Sequence, residues 1–139
     1  LKSISRSITN YIPQNVNVYL ADTMGEMLAL ISVANVCFMG GSLLGDKVGG
    51  HNLLEPAFLG KPILSGPSFY NFKEIGTQLI AINACTLCVN ENDIYHHLNT
   101  LLNDIALQKK QGVAAKNMVE KNKGAITMSI NALEHINSV

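Results

Sequence analysis

The 139 residues carry ten basic and ten acidic side chains, a formal net charge of zero and a hydrophobic share of 47%. That length suits one domain, 1–139, with a sizeable core, and the balanced charge excludes broad attraction to nucleic acid or to an anionic membrane, so any anion has to be caught locally. Charged residues make up 14% against about 25% in an average soluble domain, which leaves neutral surface for a partner or a further domain. Cys37, Cys85 and Cys88 are odd in number and lie in or beside apolar runs, which fits a reducing compartment. No apolar run approaches the ~20 residues needed to cross a bilayer, so this stretch is expected to be soluble. The chain opens on Leu1 inside a Ser-rich stretch, and it is expected to be a fragment of a longer protein.

In chain order, Leu1, Ile4, Ile8 and Tyr11 stand at helical spacing before Pro13 and predict a helix remnant. Val16 to Leu20 alternates as a half-buried strand does, and Asp22 or Thr23 offers a cap to the next helix. From Met24 to Ala34 the apolar residues Met24, Met27, Leu28, Leu30, Ile31 and Ala34 recur at a 3.6-residue period, predicting a helix with one buried face and Glu26 in its first turn. Val36 to Met39 is wholly apolar, as a central parallel strand is. Asn52 is placed to cap a helix to about Leu59, with Pro56 tolerated in its first turn and Gly60 as its left-handed end. Strand Ile63–Ser65, helix Phe72–Ile82, strand Thr86–Val89, a helix from Asn92 to Leu102 and a helical tail from Ile105 to Ile136 complete the series.

Short apolar strands alternating with amphipathic helices predict an α/β fold: a Rossmann-like parallel sheet with helices on both faces and a C-terminal helical tail. Ligands of such sheets lie beyond the carboxyl ends of the strands. That rule gathers Asp22–Glu26, Gly40–Ser42, His51–Glu55 and Ser65–Asn71 along one rim. Gly40, Gly41 and Ser42 close a strand, where exposed N–H groups hold a carboxylate or phosphate, although an ordinary Gly turn has the same sequence. His51 and Asn52 sit at a helix start that favours an anion, with a plain N-cap as the simpler use of Asn52. Glu55, one turn on, suits a pair of hydroxyl donors or the helix dipole. Asn71 and Lys73 offer a phosphate or carboxylate contact, or a solvated helix start. Cys85-Thr86-Leu87-Cys88 is formally a CxxC, but it falls in a strand rather than at a helix N-terminus, which argues against redox chemistry, and a metal would need two more ligands, for which His96-His97 is too weak a candidate.

Asp22-Thr23-Met24-Gly25-Glu26, Gly40-Gly41-Ser42-Leu43, Gly49-Gly50-His51-Asn52 with Glu55-Pro56-Ala57, Gly60-Lys61-Pro62, Gly66-Pro67 and Asn71-Phe72-Lys73-Glu74 resemble, in order and spacing, the 3-deoxy-D-manno-octulosonic acid (Kdo) transferases. The likeness spans about Val16 to Val89. It implies the C-terminal half of a GT-B glycosyltransferase, lacking here the domain's first strand, its Arg/His-rich phosphate loop and the whole N-terminal acceptor domain. It further implies an inverting, metal-free transfer of Kdo from CMP-Kdo to a lipid A precursor in lipopolysaccharide assembly, with no cofactor. The full-length protein would then be membrane-associated, at the cytoplasmic face of the bacterial inner membrane, and would carry its glutamate base in the N-terminal domain. This fragment would hold no catalytic residue and would be inactive alone. By resemblance the donor-binding residues are Thr23, Met24, Gly25, Glu26, Gly40, Gly41, Ser42, Gly50, His51, Asn52, Glu55, Asn71 and Lys73, with Met24 against the base, and Ile126–Ile136 crosses back to the N-terminal domain.

Two other readings fit the same residues. One is the donor domain of a UDP-sugar-dependent GT-B enzyme. The other is a non-enzymatic nucleotide-binding or response-regulator-like module, since one doubly wound domain serves many roles.

Overall fold

A computed structural model describes the backbone of residues 1–136, and the side chains of residues 1–122 apart from Asp46. The chain divides into two compact units, Leu1–Leu30 and Ile31–Val139, each described here by itself.

The first unit is built on two parallel strands. β1 (Ser3–Ser5) pairs with β2 (Val18–Leu20), Ile4 opposite Tyr19. The helix expected over Leu1–Tyr11 is therefore corrected to a strand followed by a turn. Isolated helices this short are marginal in water, so a three-residue ladder to β2 decides the conformation, extended by bonds from Asn17 N and Val18 N to Lys2 O. The next helix, α1, covers Met27–Val33 and contains no buried residue. This corrects the expected buried face: Met24, Met27 and Leu28 are 97%, 61% and 53% exposed. Glu26 stands one residue before the helix, its carbonyl accepting from Leu30 N.

The second unit holds a three-stranded parallel sheet. β3 (Cys37–Met39) and β5 (Cys85–Leu87) flank β4 (Ile63–Ser65), with Phe38 opposite Leu64 and Leu64 opposite Thr86. β4 is central and buried at all three positions, whereas β3, expected to be central, is the edge of this sheet with Phe38 40% exposed. Successive β4 side chains face opposite ways. Ile63 joins one core with Leu53, Ala57, Leu79, Cys85, Ala115 and Val119, and Leu64 joins another with Cys88 and Leu101, against which Ile94 and Leu98 pack. Helices thus cover both faces, which is what parallel crossovers require, and the expected α/β class is the one observed. Cys85 and Cys88 belong to these two separate cores, and burial pushes the Cys85 thiol up to about 12.

The helices are α2 (Leu54–Phe58), α3 (Lys73–Ala81), α4 (Glu91–Asn103) and α5 (Ile105–Ile136). The cap of α4 is Asn90, not Asn92. Its side chain accepts from Asp93 N at 3.0 Å while Asp93 accepts from Val89 N at 2.9 Å, a reciprocal pair that satisfies two donors at once. The side chains of Ile126–Ile136, and with them the expected crossing to another domain, lie outside the described residues.

α5 runs unbroken through Gly112. Gly112 is there because α2 and α5 touch backbone to backbone: a Cβ on Gly112 would run into the Gly60 carbonyl, while Gly60 itself turns left-handed at φ +65°. Gly112→Ala gains up to ~1 kcal/mol of helix propensity. It also forces an immovable backbone contact apart, a cost of about 1–3 kcal/mol. The urea midpoint of the variant is therefore expected to fall, and a midpoint that rises would show that the two helices are not in contact here.

Candidate functional site

In the second unit the loops that follow β3 and β4 meet at the carboxyl end of the sheet, and one side chain joins them. Ser42 is fully buried. Its Oγ donates to Met39 O at 2.5 Å and accepts from Gly66 N at 2.7 Å, and its carbonyl accepts from Ser68 N at 2.9 Å. The hydroxyl is thereby committed to the protein, and only the backbone of Gly40, Gly41 and Ser42 is left to serve a ligand.

The glycines explain how the loops come so close. Gly41 (φ +74°) and Gly50 (φ +69°) are left-handed, where L residues are strained, and a Cβ would stand 2.7 Å from Val48 Cγ1 in the first case and 2.7 Å from Ser68 O in the second. These glycines let one loop approach another as much as they bare the backbone to solvent. His51 is exposed, with its Cδ2 3.7 Å from where a Cβ would stand on either Gly40 or Gly41. The structure thus gathers Gly40, Gly41, Ser42, Gly50 and His51.

α2 begins at Leu54, and Asn52 accepts from Leu54 N at 3.0 Å while its Nδ2 reaches Glu55 Oε1 at 3.3 Å. The N-cap position is Leu53, with no side-chain cap bond, so Asn52, expected as the cap, stands one residue earlier, where it holds the Leu54 N–H and steers Glu55. A helix of five residues contributes little macrodipole, so this helix start by itself draws an anion only weakly. Glu55 is half-buried in the first turn. Further along, Lys73, the first residue of α3, lines an open cavity of about 460 Å³ with Gly45, Ser68, Tyr70 and Thr77. Asn71 is exposed on the adjoining Tyr70–Phe72 turn and does not line that cavity. Among the described residues no three His, Cys, Asp or Glu side chains come together to hold a metal ion.

Thr23, Met24, Gly25 and Glu26 belong to the first unit, in the loop after β2. Gly25 is left-handed at φ +85° with open space around it. Glu26 is gripped by Arg6, which donates from Nη2 to Oε1 at 2.9 Å and from Nε to Oε2 at 3.1 Å, and Thr23 Oγ1 donates to Oε2. The Thr23 hydroxyl, followed by the Arg6 guanidinium, holds the Glu26 carboxyl below its ordinary range. Of the two candidate caps for α1, Thr23 bonds the Glu26 carboxylate and Asp22 accepts from Ser7 Oγ and N at 2.6 and 2.8 Å, bonds that lower its pKa. Arg6 escaped the sequence reading because the helix expected over Leu1–Tyr11 hid the strand that delivers it. The available signal was an arginine just after an apolar-alternating triplet.

A parallel sheet covered on both faces, with glycine-rich loops gathered at its carboxyl end, is a Rossmann-like α/β domain. No family model matches the sequence. Curated relatives do: it is 33% identical over 132 residues to the 3-deoxy-D-manno-octulosonic acid transferase of Haemophilus influenzae and 31% identical over 120 residues to that of Bordetella pertussis, covering 93% and 86% of this chain. The chain spans 30% and 28% of the length of these relatives. Among solved structures, the C-terminal CMP-Kdo binding domain of WaaA from Acinetobacter baumannii superposes with a TM-score of 0.79 at 33% identity, covering 86% of this chain and 61% of that one. The chain belongs to the Kdo transferase family and corresponds to its C-terminal domain.

Replacing Ser42 by Ala removes the acceptor from Gly66 N and leaves a buried N–H unpaired, which costs about 1–3 kcal/mol. Chemical denaturation of Ser42→Ala is expected to show that loss, and an unchanged midpoint would mean the hydroxyl does not tie the two loops.

Proposed function

We propose that this chain is the donor half of an inverting glycosyltransferase, holding CMP-Kdo while an acceptor hydroxyl of a lipid A precursor attacks. The observation that carries the reading is the convergence of the Gly40–Ser42 loop, the Gly50–Glu55 segment and the Gly66–Ser68 loop at one end of the sheet, which is where open α/β sheets receive ligands. The likeness to a CMP-Kdo binding domain in Acinetobacter baumannii supplies the nucleotide sugar. Each set of residues has a role that its chemistry fits. Backbone N–H groups of Gly40–Ser42 face the sugar carboxylate or the phosphate, and His51 stands over them. Glu55, steered by Asn52, takes the ribose hydroxyls, because a carboxylate accepts from two neighbouring donors at once. Lys73 meets an anion entering the cavity beside α3, and Asn71, exposed on the adjoining turn outside that cavity, offers an amide contact. In the first unit, the Thr23–Glu26 loop is the nucleoside contact, with the Met24 thioether against the base.

The reaction needs charge stabilisation where the CMP phosphate departs, and preorganised N–H donors supply that without reorganising. In this reading the base that deprotonates the acceptor sits in an N-terminal domain upstream of Leu1. In this reading that domain also carries the attachment to the cytoplasmic face of the inner membrane; among the described residues of this chain no helix is long and apolar enough to cross a membrane. This chain by itself binds donor poorly and transfers nothing.

Isothermal titration of the full-length protein with CMP and with UDP tests the assignment, and CMP is expected to bind more tightly. Glu55→Ala is expected to weaken CMP binding roughly tenfold to a hundredfold, the value of hydrogen bonds to a charged acceptor. Tighter binding of UDP than of CMP would reject CMP-Kdo as the donor.

A further inference from the structure

We infer that the cavity beside α3 receives the sugar-acid end of the donor, with the Lys73 ammonium on the carboxylate of Kdo and the CMP phosphate left to the backbone of Gly40–Ser42. This rests on the donor-binding reading above and decides which of the donor's two anions goes where.

The cavity lies within the second unit, and two glycines seat its aromatic wall. A Cβ on Gly76, buried in α3, would stand 2.5 Å from Phe69 Cδ2, and a Cβ on Gly49 would stand 2.4 Å from Tyr70 Cζ. Each ring thus occupies space that any other residue would fill. Tyr70 remains 53% exposed, and the two rings border, with Lys73, Ser68, Thr77 and Gly45, a space of about 460 Å³. Pockets that take small organic molecules measure roughly 300–1,000 Å³, so this one has room for a sugar.

The polar groups on its border select among ligands. Lys73 is exposed at the start of α3 and has no ion-pair partner among the described residues. An ammonium only donates, so it calls for an anion. Ser68 Oγ donates to Gly45 O, and Thr77 Oγ1 donates to Lys73 O at 2.8 Å. With its one proton spent, each hydroxyl can only accept, and what it meets in a ligand is a hydroxyl donor. A nucleobase would suit the rings but brings no anion to Lys73; a phosphate would suit Lys73 but not the rings. A deoxygenated sugar acid offers all three features: a carboxylate, hydroxyl donors and a C–H face to lay on an aromatic ring.

Ser68 joins this space to the neighbouring loop. Its N donates to Ser42 O at 2.9 Å while its Oγ holds Gly45. A donor whose phosphate rests on Gly40–Ser42 therefore has to pass only Ser68 to place its sugar in the cavity.

Steady-state kinetics of the full-length protein, with CMP-Kdo as donor and CMP as product inhibitor, separates the two ends. Lys73→Gln is expected to lower kcat/KM for CMP-Kdo about tenfold to a hundredfold, the value of a hydrogen bond between charged groups, and to leave the CMP inhibition constant within about twofold of wild type. The retained CMP inhibition also shows that the variant is folded. Lys73→Arg, which keeps the cation, is expected to recover part of the loss. An unchanged kcat/KM in Lys73→Gln overturns the inference, because no anion of the donor then meets Lys73. A CMP inhibition constant that rises as far as kcat/KM falls also overturns it, because the cavity then holds the nucleotide, while the donor-binding reading stands. Wild-type protein that CMP does not inhibit overturns the donor-binding reading itself, and the inference falls with it.

Discussion

The Ser42 hydroxyl sits fully buried where β3 ends, bonded to Met39 O behind it and to Gly66 N beyond β4. Two consecutive parallel strands of the second unit are thereby tied just past their carboxyl ends, where the sheet's own ladder has stopped. The Gly66–Ser68 loop can only lie against the Gly40–Ser42 loop because Gly66 has no Cβ: one would collide with the Ser42 backbone. Gly50 in turn must be bare to pass the Ser68 carbonyl. Removing the hydroxyl or filling a glycine disturbs the same junction, and with it the surface on which a ligand would rest.

The junction also reassigns the work of residues with two readings. Ser42 does not present its hydroxyl outward, and Asn52 spends its side chain on a helix N–H and on Glu55. In the proposed site, backbone donors, the exposed His51 ring, a steered Glu55 and the Lys73 ammonium beside its cavity are what remains for a ligand. Fixed backbone dipoles and a few charged tips recognise an anion of defined shape without a basic patch, which agrees with a chain whose net charge is zero.

The strand-helix alternation was legible because each apolar run is short and each loop carries its own turn residue. Ile63–Ser65 was located to the residue, and Gly60 was recognised as a left-handed helix end. Leu1–Tyr11 was misread because helical spacing over eleven residues is a weak local preference beside pairing with β2. Burial of the α1 face failed as an expectation for a related reason: periodicity tells which face is apolar, not what covers it. The cap of α4 shifted by two residues because Asn90 and Asn92 are chemically alike, and only the reciprocal bond with Asp93 separates them. The rim loops of the second unit were legible as a set, yet the inward turn of Ser42 was not, since a serine after two glycines reads equally as ligand donor or as tie. Arg6 could not be found without knowing that its segment is a strand.

A crystal structure of the protein with CMP bound tests the central claim most directly. The account predicts the nucleotide beyond the carboxyl ends of β3 and β4, against the Gly40–Ser42 and Gly50–Glu55 segments, with Ser42 still turned inward toward Gly66. Nucleotide found instead at the opposite end of the sheet, in the small crevice beside Lys61 and Lys109, would contradict it.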